Sequence, residues 1–132
     1  MSDCLFCRII VGEVPARRVY EDDSTVAFLD ISPWSTGHSL VVPKRHVASL
    51  LEDAGILTEV APQVGAVTRL LVDRLGADAA NVLVNAGPVS GQEVMHMHVH
   101  VIPRYADRPG IQNLRGRSVD DLDAVHARIT GA

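Results

Sequence analysis

Three observations predict an α+β domain on a mostly antiparallel sheet. Short β-branched and aromatic runs are separated by tight turns, one long segment switches to helical period, and a shorter helical segment comes late in the chain. The 132 residues are the size of one domain, so 1–132 is read as a single unit. Hydrophobic residues make up 47% and charged residues 21%, which excludes general disorder.

The elements follow in order. Leu5 to Val11 is an apolar helical turn or two, stopped by Gly12 and Pro15. Val19-Tyr20 and Thr25 to Leu29 are strands around the acidic turn Glu21-Asp22-Asp23-Ser24. Ser32 to Gly37 is a loop by composition, and Ser39 to Val42 is a strand ended by Pro43. From Ile56 to Leu75, Val60, Val64, Val67, Leu71 and Leu75 recur at helical spacing. Pro62 falls in the first turns of that helix as a start or a kink, and Gly76 stops it. Asn81 to Asn85 and Val94 to Ile102 complete about five strands. Ser118-Val119-Asp120-Asp121 has the pattern of a capping box opening a last helix to about Ile129.

The net charge of −4, from 12 basic and 16 acidic residues, comes with no basic run and argues against a nucleic-acid partner. No apolar run approaches the ~18 residues of a membrane span, and the N-terminus lacks a secretory pattern. A cytoplasmic protein without a membrane partner is expected. The two cysteines, Cys4 and Cys7, leave metal binding and redox chemistry open. Two ligands alone cannot close a zinc site.

The most informative segment is His96-Met97-His98-Val99-His100-Val101-Ile102. On a strand the three imidazoles would share one face, with Met97, Val99 and Val101 packed on the other. Three such groups are costly to bury without partners. Two chemistries use a row of this kind: metal ligation, and nucleophilic catalysis by one neutral imidazole that its neighbours support. The preceding loop, Ala86 to Gln92, has two glycines that let backbone N–H groups approach an anion.

Gly91-Gln92-Glu93-Val94-Met95 and the alternating histidines resemble the defining motif of the histidine triad (HIT) family. The likeness extends to Cys4-Leu5-Phe6-Cys7-Arg8-Ile9-Ile10, to Phe28-Leu29-Asp30-Ile31-Ser32-Pro33, and to Gly37-His38 through Pro43-Lys44-Arg45-His46. The chain is most similar to a Hint-like bacterial branch with an N-terminal Cys-x-x-Cys. The resemblance implies the HIT fold: about five strands, one long helix, and short N- and C-terminal helices. It implies a nucleotide hydrolase or transferase acting at the α-phosphate, with His98 as nucleophile, His100 as phosphate ligand, and His96 and His38 in support. Asp30 would accept the ribose hydroxyls, with Phe28, Ile31 and Leu40 around the base. Asn85, Gly91, Gln92, Glu93 and Val94 would complete the nucleotide site. Cys4, Cys7, His46 and His96 would hold a structural Zn²⁺, with no catalytic metal. A homodimer binding a purine nucleotide of AMP or GMP type is implied as well.

One residue departs from the family. Many members have Ser or Thr where this chain has Glu93. An ionised carboxylate repels a phosphate, so Glu93 turns away, is protonated, or handles a cationic leaving amine. Nucleoside phosphoramidate hydrolysis is the first reading. The alternatives are a dinucleoside polyphosphate hydrolase of the diadenosine tetraphosphate type, a zinc-stabilised nucleotide-binding protein without significant turnover, and a histidine-ligated catalytic metal.

Overall fold

The computed structural model describes residues 3–111 and 121–131. The elements are α1 (Leu5–Ile10), β1 (Arg18–Glu21), β2 (Thr25–Leu29), β3 (Ser39–Pro43), α2 (Ile56–Leu75), β4 (Ala79–Val84), β5 (Val99–Arg104) and α3 (Leu122–Thr130), with a 3₁₀ turn at Pro88–Ser90. The strands form one sheet in the order β1-β2-β3-β5-β4, and every neighbouring pair is antiparallel. The predicted α+β class and sheet type are present.

Strand alternation sorts the core onto two faces. Ala27, Val41, Val99 and Val101 pack with Ile56, Val60, Val67 and Leu71 of α2 and with Met97. Val26, Phe28, Leu40 and Val42 point the other way and pack with Phe6 and Ile9 of α1. The long helix thus covers one face of the sheet and the short helix part of the other. Of the predicted helical stripe, Val60, Val67 and Leu71 are buried, while Leu75 at the end is exposed. Pro62 lies inside α2 rather than at its start.

Local chemistry closes the connections. The Asp22 carboxylate accepts from the backbone N–H groups of Ser24 and Thr25 at 3.0 and 2.9 Å, which makes the acidic β1–β2 turn. The Arg18 guanidinium donates to the carbonyl oxygens of Ile9 and Ile10 at 2.6 and 3.4 Å, which satisfies the C-terminal end of α1 and ties it to β1. Gly37 has φ +89°, and a Cβ there would collide with Leu75 Cδ1 and lie 3.3 Å from Pro103 Cγ. Only glycine brings the β2–β3 loop this close to the end of α2.

Two sequence expectations change. The segment Val94 to Ile102 is not one strand, because β5 begins at Val99 and runs on to Arg104. The β3–β5 register places Val41 opposite Val99, and two residues further Pro43 has no N–H to donate. Met97 instead donates its backbone N–H to Val47 at 2.7 Å. At the C-terminal end, Ser118 lies outside the described residues. The last helix starts at Leu122, with the Asp121 carboxylate accepting from the N–H groups of Asp123 and Ala124 at 2.9 and 3.5 Å.

Candidate active site

A cleft of about 390 Å³ opens on the α1 face of the sheet. Ile9, Val14, Phe28, Leu29, Ile31 and Leu40 give it apolar walls. His98, His100, Asn85, Gly91, Glu93, Val94 and Asp30 bring polar groups or backbone to the same space. Of the residues singled out in the sequence for the nucleotide, the cleft gathers all but Gln92. That side chain is buried and held by backbone: its amide donates to Ala48 and Val94 carbonyls at 2.7 and 2.9 Å and accepts the Gly87 N–H at 2.8 Å. It braces the glycine loop beside the cleft.

Only His100 of the three alternating histidines lies on a strand. Alternation nevertheless persists through the preceding segment, because Met97, Val99 and Val101 all enter the α2-side core. Phe6 stands edge-on to both His96 and His98, with ring centroids 6.0 and 5.0 Å away. The His98 and His100 rings are 5.0 Å apart.

Hydrogen bonds fix where each imidazole carries its proton. His98 Nδ1 is 2.7 Å from the His96 carbonyl oxygen. A carbonyl only accepts, so Nδ1 bears the hydrogen and Nε2 keeps its lone pair. The backbone N–H of Trp34 donates to His38 Nδ1 at 3.1 Å, which puts the His38 proton on Nε2. That nitrogen is 2.9 Å from His100 Nδ1 and 3.6 Å from Asp30 Oδ2. His100 Nδ1 therefore accepts, and its proton sits on Nε2. Side by side stand one imidazole with a bare nitrogen and one with an N–H.

All three rings are held neutral. Burial lowers the pKa of His98, and it lowers that of His38 against the attraction of Asp30. His100 falls to about 4 through burial and the neighbouring His98 and His38. Asp30 also accepts the Ser32 N–H at 2.8 Å, which orients its carboxylate at the end of β2. Asp30, His38 and His100 lie close enough to suggest a metal site. A neutral His38 that receives the Trp34 N–H on one nitrogen carries a proton on the other, which disqualifies it as a ligand.

Behind the cleft, Cys4, Cys7, His46 and His96 bring their ligand atoms within 4.8 Å of one another. His96 Nδ1 is 3.4 Å from Cys4 Sγ, 3.6 Å from Cys7 Sγ and 3.1 Å from His46 Nδ1, and Cys7 Sγ is 3.3 Å from His46 Nδ1. Bonds of about 2.3 Å to sulfur and 2.0–2.1 Å to nitrogen give tetrahedral edges of roughly 3.3–3.8 Å. The donor set therefore fits a zinc ion in number, type and spacing. His96 Nε2 donates to the Pro43 carbonyl at 2.8 Å, which leaves Nδ1 unprotonated and aimed at the other three ligands.

Besides wall residues such as Ile9, Val14 and Leu29, two aromatic residues of the cleft escape the sequence reading. Trp34 is the single tryptophan, placed in a loop and given no role, yet it stacks on His100 with 7° between the ring planes. Phe6 lies between the two cysteines. Its position beside a metal motif was the available signal, but only the folded chain shows its ring against His98.

Comparison with known proteins points the same way. A family model described as HIT domain matches residues 11–107. The chain is 39% identical to the protein named hit from Bacillus subtilis over 91% of this chain and 83% of that one. It is 38% identical to an adenosine 5′-monophosphoramidase of Saccharomyces cerevisiae, over 82% of this chain and 66% of the relative. A zinc-bound histidine triad family protein from Mycobacterium smegmatis superposes with a TM-score of 0.75 at 32% identity, covering 98% of this chain and 97% of that one.

Proposed function

The chain belongs to the HIT domain family, and from that premise we propose that it hydrolyses purine nucleoside 5′-phosphoramidates through a nucleotidyl-His98 intermediate. The observation that carries the proposal is the 2.7 Å contact of His98 Nδ1 with the His96 carbonyl. It leaves Nε2 as a neutral, desolvated nucleophile in the cleft.

In the first step His98 Nε2 bonds to the α-phosphorus as the phosphorus–nitrogen bond of the substrate breaks, and the amine departs with a proton supplied through Glu93 or water. His98 keeps its Nδ1 hydrogen, and the His96 carbonyl stabilises the charge that the ring acquires. In the second step water attacks phosphorus and gives up a proton to Glu93 or solvent, replacing the one lost to the amine; the bond to Nε2 breaks, and the nucleoside monophosphate leaves with neutral His98 restored. The Nε2–H of His100 donates to a non-bridging oxygen, where charge grows in both steps. Asp30 accepts the ribose hydroxyls, and Phe28, Ile31 and Leu40 enclose the base.

The named activity of the yeast relative supports this substrate class. So does Glu93 at the cleft, since a carboxylate suits a departing amine and opposes a polyphosphate. Zinc, when bound by Cys4, Cys7, His46 and His96, supplies a structural cross-link and no Lewis-acid chemistry at the cleft. A homodimer fits β4 as an outer strand of the sheet with Val82 half-exposed.

The test is release of AMP from adenosine 5′-phosphoramidate by the wild type and by His98→Ala, with diadenosine tetraphosphate as competitor. Turnover lost with His98 and slower on the dinucleotide is expected. Faster cleavage of the dinucleotide would move the protein to that substrate class. AMP binding without turnover of either would leave a binding protein.

A further inference from the structure

We propose that Trp34 is a positioning residue: its backbone and its indole together hold His100 as a hydrogen-bond donor to the substrate. The backbone N–H meets His38 Nδ1 at 3.1 Å and dictates the proton placement down the chain His38 to His100. The indole lies parallel to the His100 ring, centroids 5.4 Å apart and 7° between planes. It also packs on His38 at 5.1 Å, tilted by 50°. One residue thus sets both the tautomer and the ring orientation of the pair.

A histidine placed beside a nucleophile can fail in two ways. Its proton can move to Nδ1, which would turn a bare Nε2 toward the phosphate oxygens and replace attraction with lone-pair repulsion. Its ring can tilt about χ2, which carries Nδ1 out of line with His38 Nε2 and weakens the bond between them. The Trp34 N–H prevents the first, because a neutral His38 that accepts on Nδ1 has only Nε2 left to donate. The stacked indole opposes the second, because an imidazole tilted out of this plane would lose its parallel contact. Trp34 is 57% exposed, so its ring adds little to the core. Its loop is anchored independently by Ser35 Oγ donating to the Pro103 carbonyl at 2.7 Å and Tyr105 Oη donating to the Thr36 carbonyl at 2.9 Å.

The catalytic importance of this placement rests on the proposed donor role of His100, but the placement itself can be tested without substrate. Nitrogen-edited NMR of the imidazoles at neutral pH should show His38 and His100 protonated on Nε2 and His98 on Nδ1. A wild-type His38 or His100 protonated on Nδ1 overturns the proposal. In Trp34→Ala the backbone donor is kept and the stack is lost. The expected result is a kcat on adenosine 5′-phosphoramidate lower by about tenfold with KM within about twofold, and broadened or mixed His100 signals. Trp34→Phe, which keeps a flat ring, should recover most of the turnover and the wild-type His100 signals. Wild-type kcat in Trp34→Ala, or a loss that appears only as a lower melting temperature with His100 unchanged, would sink it. If the wild type shows the expected protons yet releases no AMP, the phosphoramidase reading fails and the structural assignment of Trp34 stands.

Discussion

His98 donates its Nδ1 hydrogen to the main-chain carbonyl of His96, two residues earlier, while the His96 side chain belongs to the Cys₂His₂ cluster. The proposed nucleophile is therefore oriented by the backbone of a residue in the candidate zinc cluster and not by a carboxylate. A carbonyl cannot take up the proton, so His98 enters and leaves the proposed reaction with Nδ1–H intact.

Replacement of His98 by Ala is expected to lower AMP release by roughly a thousandfold or more, while AMP still binds, because the cleft walls and His100 remain. Mass spectrometry of wild-type protein quenched during turnover should find one nucleotidyl group, on His98. Retention of more than about a tenth of the rate in the variant would argue for direct attack by water.

The lowered histidine pKa values predict how the protein responds to acid. His100 falls from an ordinary 6.5 to about 4, so the unfolded chain takes up this proton first as pH drops. The stabilising difference is complete above about pH 6.5 and is lost as pH falls toward 4. One such group costs about 2 kcal/mol of folding free energy between pH 7.5 and 5. Denaturant unfolding of His100→Asn should show a correspondingly shallower loss over that interval. An equal pH slope in the two proteins would contradict burial as the cause.

Glu93 faces the cleft, and its proposed task is to help an amine depart. Glu93→Gln is expected to slow cleavage of adenosine 5′-phosphoramidate by about tenfold and to affect AMP affinity little or to improve it. Faster turnover in the variant would show that the carboxylate hinders the reaction.

Chelation of the metal is expected to loosen α1 and the cleft before the sheet. Zinc analysis should give one ion per chain. The stripped protein should keep the unfolding transition of the α2-side core and bind AMP at least tenfold more weakly. Cys7→Ser should reproduce both effects.

Gly37→Ala tests the packing of the β2–β3 loop. Positive φ and the approach to Leu75 both oppose a side chain there, and a loss of about 1–3 kcal/mol is expected from thermal or denaturant melts. Trimming the neighbour as well, in Gly37→Ala with Leu75→Ala, should recover the clash but not the cost of positive φ.

Much of this arrangement was legible in the sequence because it is written in periodicity. Val60, Val67 and Leu71 announce the buried side of α2, and Met97, Val99 and Val101 announce the core side of the histidine segment. The start of β5 was not legible, because a ladder ends where its partner can no longer bond, and that depends on Pro43 being placed opposite. The tautomers were equally hidden. They depend on a Trp34 amide and a His96 carbonyl, and a sequence names side chains without saying where backbone groups point. Trp34 itself looked like loop filler, since nothing nearby in the chain signals that a strand more than sixty residues later will slide an imidazole beneath it.

The short helix on one side of the sheet and the long helix on the other give the molecule two tiers of permanence. Amide hydrogens of β3 and β5, shielded by α2, should exchange with solvent only when the whole chain opens. Those of α1, anchored by Arg18 and by the cluster of sulfur and nitrogen donors, should exchange through a smaller opening that leaves the sheet intact. The six-residue α1 wall lines the cleft, so changes in that wall can alter what the cleft accepts while the long-helix side goes on specifying the fold.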